Sequence, residues 1–156
     1  MARPWDPTHV YTSAAEVVGP SIVRMIVSRA SDPLLIVGPR AVENENWREA
    51  LVSLLERYKL DAVCVAPYKG DEFGRKMGVV EVATLLQRGE PVLGKHPDVV
   101  LYSGSRPDVT DRVMQGLRHF RMDLIKVVLN PEYCPSADYS FPNMKMDEFI
   151  SNLNSI

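Results

Sequence analysis

Asp32-Pro33-Leu34-Leu35-Ile36-Val37-Gly38-Pro39-Arg40 is the stretch on which the fold turns. Four consecutive large aliphatics, with a proline before them and Gly-Pro after, read as a short strand buried on both faces and ending in a sharp loop. Such a strand needs cover from two sides, which places it in the middle of a parallel sheet with helices above and below. On its N-terminal side, Ile22, Val23, Ile26, Val27 and Ala30 share one face of a helix that begins at Pro20, where a first turn tolerates proline. That helix ends at Ser31-Asp32-Pro33, because a proline restricts the residue before it. On the C-terminal side, Trp47, Ala50, Leu51, Leu54, Leu55 and Tyr58 keep the i, i+3, i+4 spacing of a second helix. Ala62-Val63-Cys64-Val65-Ala66 follows as a buried strand stopped by Pro67. Strand, helix and strand within about 35 residues make a βαβ unit of right-handed crossover.

Farther along, Pro67 to Gly78 carries three glycines and three basic residues and reads as a mobile loop. Val79, Val82, Ala83 and Leu86 give a third helix ending at Gly89, and a linker runs through Pro91, Gly94 and Pro97. Asp98-Val99-Val100-Leu101-Tyr102 is a third strand. Asp108 is the candidate N-cap of a fourth helix with Val109, Val113, Leu117 and Phe120 on its apolar face. Leu124 to Leu129 makes a fourth strand, cut off by Asn130-Pro131. Residues 133–144 read as an irregular loop, and Met146, Phe149, Ile150 and Leu153 close the chain with an amphipathic helix. Residues 1–13, with two prolines, Trp5 and Tyr11 but no helical or strand period, form an extended arm. The expectation is one α/β domain over residues 1–156.

Composition narrows the function. A formal net charge of -2 gives no global attraction for nucleic acid or anionic lipid, and no stretch approaches the roughly 20 apolar residues that span a bilayer. Cys64 and Cys134 lie far apart without a CxxC pattern, which suits a reducing cytoplasm. An iron–sulfur cluster takes about four cysteine ligands, so this chain alone holds none. His9, His96 and His119 lack metal-ligand spacing. No nucleophile–base pairing stands out, so no catalytic residue and no metal ligand is assigned. Asp61 and Asp98 precede strands, at the rim opposite any ligand, and read as caps or solvated ends.

Three strands end in loops that gather at one rim of a parallel sheet: Gly38-Pro39-Arg40, Ser103-Gly104-Ser105-Arg106 and Asn130-Pro131. Ligands of open α/β sheets bind at that carboxyl rim, where backbone amides and helix N-termini favour phosphate. Gly38, Pro39, Arg40, Ser103, Gly104, Arg106 and Asn130 are therefore the candidate cofactor-binding residues, although the G-x-G-x-x-G fingerprint is absent. Gly89-Glu90-Pro91-Val92-Leu93-Gly94-Lys95-His96 nearly spells a P-loop, but it ends in histidine and lies between a helix and a strand, the reverse of the required order.

Three stretches carry a family resemblance: Ala-x-x-Pro-Leu-Leu-Ile-Val-Gly over Ala30 to Gly38, Asp98 to Gly104, and above all Ser136-Ala137-Asp138-Tyr139-Ser140-Phe141-Pro142-Asn143-Met144. From about Tyr11 onward the chain resembles the epsilon subunit of archaeal acetyl-CoA decarbonylase/synthase, the carbon monoxide dehydrogenase complex. The resemblance implies a three-layer Rossmann-like fold similar to the FAD/NAD-binding-like central domain of thiamine-diphosphate enzymes. It implies a non-catalytic small subunit in an α2ε2 heterotetramer with a nickel–iron–sulfur alpha subunit, one that stabilises alpha or assists electron transfer to FAD. Under this reading Trp5, Tyr11, Tyr139 and Phe141 are the candidate partner-binding residues. An independent flavin- or nucleotide-binding redox module is the alternative, and self-association of the isolated chain stays open. The linker Gly89 to Pro97 is shorter and less glycine-rich than the resemblance leads one to expect, which counts against flavin if that loop borders the crevice.

Overall fold

Strand β2 (Pro33–Val37) is central in a computed structural model that describes residues 14–156. It pairs in parallel with β3 (Asp61–Cys64) on one side and β5 (Val99–Ser103) on the other. Its period-two alternation divides the core. Leu35 and Val37 pack into the layer of α1 (Pro20–Arg29), α3 (Glu45–Tyr58) and α6 (Met146–Asn154). Leu34 and Ile36 pack against α4 (Val79–Arg88) and α5 (Pro107–Phe120). With β6 (Ile125–Val128) next to β5, the four long strands match the sequence reading to within a residue or two at their ends.

Three strands of two residues each complete an all-parallel sheet of order β1-β7-β6-β5-β2-β3-β4: β1 (Glu16–Val17), β4 (Arg75–Lys76) and β7 (Tyr139–Ser140). The result is a three-layer, Rossmann-like fold. Residues 133–144 are therefore not wholly irregular, since Tyr139 and Ser140 sit between β6 and β1. The 67–78 segment is tied down rather than loose: Phe73 is buried, and Gly70 leaves so little room that a Cβ there would lie 2.7 Å from the Cys64 sulfur. Gly38-Pro39-Arg40 is not a loop either. Pro39 opens a one-turn helix, α2 (Pro39–Glu43), for which its fixed φ is suited.

Two further expectations are corrected at α5. Pro107 takes the first helical position, so Arg106 is the flanking cap residue and Asp108 falls inside the first turn. The buried stripe is Thr110, Val113, Met114 and Leu117, while Phe120 is 70% exposed, because the chain turns away after it toward β6. On α1, likewise, Ile22 is exposed and Val23 and Val27 carry the burial. Among the described residues no helix is long and apolar enough to cross a membrane.

The signature stretch explains itself at the amino edge of β6. Lys126, 1% exposed, stands in a strand that reads as apolar on either side. Its ammonium donates to the carbonyls of Leu124 (2.7 Å) and Arg121 (3.1 Å) and lies 3.2 Å from Asp138 Oδ2, which also accepts the Lys126 amide at 2.9 Å. Asp138 thus fixes the start of β7 on β6 and neutralises a buried charge. Removing one member of such a pair strands the other. Asp138→Ala should lower stability by about 2–3 kcal/mol in urea unfolding, and adding Lys126→Met should restore most of that loss. Additive losses in the double variant would contradict this account.

Candidate functional site

The connections place a crevice at the carboxyl edge of β2. From β2 the chain crosses through α3 to β3 on one side, then returns through α4 to β5 on the other, so the segments that follow the β2 and β5 loops part to opposite faces of the sheet. Between them lies a cavity of about 340 Å³ lined by Pro39, Arg40, Glu43, Val65, Val79, Ser105, Arg106 and Val109. Its walls are chiefly aliphatic. The loop after β6 joins the same rim through Asn130, so all seven residues singled out for cofactor binding gather at this rim, with Pro39, Arg40 and Arg106 lining the cavity and Ser103 and Asn130 buried beneath it. The linker Gly89–Pro97 does not: it feeds the opposite edge of the sheet, with Lys95 bridging to Asp61 at the start of β3 (3.0 Å), and has no bearing on the crevice. Within it the P-loop-like stretch forms a tight turn, with Leu93 and Gly94 both at positive φ and Val92 paired to Lys95.

The rim residues meet by bonding one another. Gly38 N–H donates to Ser103 O and Arg40 N–H to Gly104 O, both at 2.8 Å, and Gly104 N–H donates to Asn130 Oδ1 at 2.9 Å. The other arm of the Asn130 amide donates to Thr110 Oγ1 at 3.4 Å. Gly38 has no room for a side chain, since a Cβ would stand 2.4 Å from Gly104 C, Ser105 N and Ser105 Oγ. Gly104, at φ 100°, is held in the left-handed region that favours glycine. The glycines serve close loop-to-loop packing.

The cations are engaged as well. Arg40 makes a two-pronged pair with Glu132 (2.8 and 3.0 Å), and its guanidinium stacks over Trp47 at 5.4 Å. Arg106 is paired in the same manner with Asp108 (2.7 and 3.1 Å) at the surface. Its guanidinium holds the Asp108 carboxyl below the usual range, helped by the amides of Val109 and Asp108 itself, the first-turn donors of α5. Beneath the rim, Trp47 Nε1 donates to Ser103 Oγ (2.9 Å), which donates to Leu129 O (2.5 Å), and Tyr102 and Ser105 share a hydroxyl pair at 2.9 Å.

Glu132, Thr110 and Trp47 are site residues that sequence reasoning missed. Trp47 reads as core from its spacing, and nothing local ties Glu132 to Arg40, which stands 92 residues away. Of the candidate partner contacts, Trp5 and Tyr11 fall outside the described residues, as do the arm and His9. Tyr139 is half-buried in β7. Phe141 is fully buried, its ring 6.1 Å from that of Phe149, so it belongs to the core and offers a partner no surface. His96 and His119 are exposed. Asp98 acts as a cap, accepting the Ser31 and Asp32 amides at 2.8 Å. Cys64 and Cys134 are free thiols whose burial pushes their pKa upward. Among the described residues no group of acidic, histidine or cysteine side chains is arranged to hold a metal ion.

Over residues 1–156 the chain matches the family described as CO dehydrogenase beta subunit/acetyl-CoA synthase epsilon subunit. It is 61% identical, over all of its length and 98% of the relative's, to acetyl-CoA decarbonylase/synthase complex subunit epsilon of the archaeon Methanopyrus kandleri. The protein of the same name in Methanothermobacter thermautotrophicus is 30% identical over 98% of this chain and 93% of its own, and that in Methanocaldococcus jannaschii is 24% identical over 91% and 86%.

The loop packing makes a steric forecast. Gly38→Ala should destabilise the fold by about 2–3 kcal/mol, because backbone atoms of Gly104 and Ser105, beside the Ser105 hydroxyl, oppose the new methyl. Gly19→Ala, where nothing lies within 4 Å, should change stability by less than about 0.5 kcal/mol. Thermal melts of the two variants decide it, and equal losses would remove the argument for Gly38.

Proposed function

Because the chain belongs to the CO dehydrogenase beta subunit/acetyl-CoA synthase epsilon subunit family, we propose that it is the small, non-catalytic subunit of the carbon monoxide dehydrogenase component of an acetyl-CoA decarbonylase/synthase complex. In this reading it associates with the nickel–iron–sulfur alpha subunit as α2ε2 and stabilises it by covering surface. The metal chemistry belongs to alpha, and this chain contributes no reacting group. Two buried free thiols suit the reducing interior of a cell.

The observation that carries support over electron transfer is the state of the carboxyl rim. A flavin dinucleotide would need its pyrophosphate held by backbone amides and by Arg40 or Arg106. Those amides bond Ser103 O, Gly104 O and Asn130, while the guanidiniums bond Glu132 and Asp108. An incoming phosphate would break each of these contacts and face two resident carboxylates. The residues present do not fit the group. What the crevice offers is an aliphatic hollow suited to side chains.

Two measurements test this reading. Co-expressed with alpha, the chain should co-elute in equal number and raise alpha's melting temperature; alpha running alone at micromolar concentrations would refute the subunit role. Calorimetric titration of FAD into the isolated chain should give no saturable heat up to roughly 1 mM. Low-micromolar binding weakened by Arg106→Ala would restore the redox module.

A further inference from the structure

The first turns of α4 are more apolar than a helix with one covered face requires. Val82 and Ala83 face the core, yet Val79 is only half-buried and Val80, on the outer side, is 75% exposed. Valine is a mediocre helix former, so helix propensity does not explain its place there. An apolar surface wrapping most of a helix belongs to a helix covered on a second side.

That second side is a groove. Val79, Val80 and Ala83 of α4 form one wall, and Val109 and Val113 of α5 form the other, enclosing about 260 Å³. Both helices follow parallel strands, so they run side by side with their N-termini at the carboxyl rim. At its far end the groove is closed by Gln87, which sits over Gly116 so tightly that a Cβ there would lie 2.2 Å from Gln87 Nε2. At the rim it opens into the switch-point cavity, since Val79 and Val109 line both hollows. From Val79 to Gln87 is eight residues, about 12 Å, or two helical turns.

Charge selects the occupant. The groove lining holds one charged side chain, Arg112, which is exposed and has no carboxylate within ion-pairing distance among the described residues. No acidic group lines this part, and the positive ends of both helix dipoles lie toward the rim. An aliphatic centre with an unpaired arginine at its margin has the anatomy of a protein interface. A second copy of the chain fits poorly, because groove against groove would leave two hollows unfilled and bring Arg112 toward its own counterpart.

We propose that the α4–α5 groove, with the cavity at its mouth, is where a two- to three-turn amphipathic helix of the large partner subunit docks, apolar residues inward and a carboxylate on Arg112. Parallel helices present ridges into which such a segment lies at the usual i, i+3, i+4, i+7 spacing. The assignment rests on the subunit reading above and adds the face of the fold that makes contact.

The test uses the full chain titrated into the large subunit, with binding followed by sedimentation. Val80→Asp should weaken association roughly a hundredfold and Arg112→Glu roughly tenfold, whereas Arg112→Lys should hold most of the affinity. Val17→Asp, on the exposed outer strand β1, should change nothing, and unchanged circular dichroism and melting temperature should show that each variant folds. Failure of the unmodified chain to bind would bring down the subunit reading itself. Binding of the unmodified chain with Val80→Asp equally strong would overturn the groove while leaving that reading intact. Loss of self-association alone in Val80→Asp would hand the groove to a second copy and likewise overturn it.

Discussion

The close approach of the β2 and β5 loops at Gly38 and Gly104 is the constraint from which the rest of the molecule follows. Two adjacent central strands end at the same level, and their loops cross with backbone atoms so near that Gly38 has no space for a methyl group. The contact draws in Asn130 from β6, and through it Thr110 of α5, so three loops and a helix are locked in one hydrogen-bonded knot. In many open α/β sheets this location is left free for a ligand's phosphates. Here the chain itself occupies it.

That occupation bears on chemistry. Arg40 and Arg106 bring positive charge to the rim, but each is matched by a carboxylate within a few ångströms, and the first-turn amides of α5 turn toward Asp108. The electrostatic features of a phosphate site are therefore present and internally neutralised. The volume that remains is aliphatic and continuous with a groove along two helices. A nucleotide-type architecture here has its rim donors engaged by its own chain, and it belongs to a family of complex subunits.

The layers of the fold were legible in the sequence because hydrophobic period follows burial. Leu34 to Val37 and Val99 to Tyr102 run apolar without a break since both faces are covered, and α3 keeps its stripe from Trp47 to Leu54. The strands β1, β4 and β7 were not legible, because two residues have no period and exist as strands only through their neighbours. Lys126 hid inside an apolar run, its partners being carbonyls at the preceding turn and a carboxylate 12 residues on. At the site, glycine, arginine and asparagine at strand ends located the rim correctly. What they could not convey was whether the donors were free, a property set by Glu132, Asp108 and the crossing of two loops far apart in the chain. The docking groove was invisible for a related reason: Val79 and Val109 belong to ordinary helix patterns, and only the spacing of α4 from α5 makes them a cleft.

Hydrogen–deuterium exchange on this chain, alone and bound to the large subunit, tests most directly whether the fold now serves as a packing surface. Added protection over residues 79–88 and 107–113, with the β1 and β7 edge unchanged, is the result that follows from a helix seated between α4 and α5. Protection confined to the β1 and β7 edge, with the two helices exchanging as they do in the free chain, would contradict it.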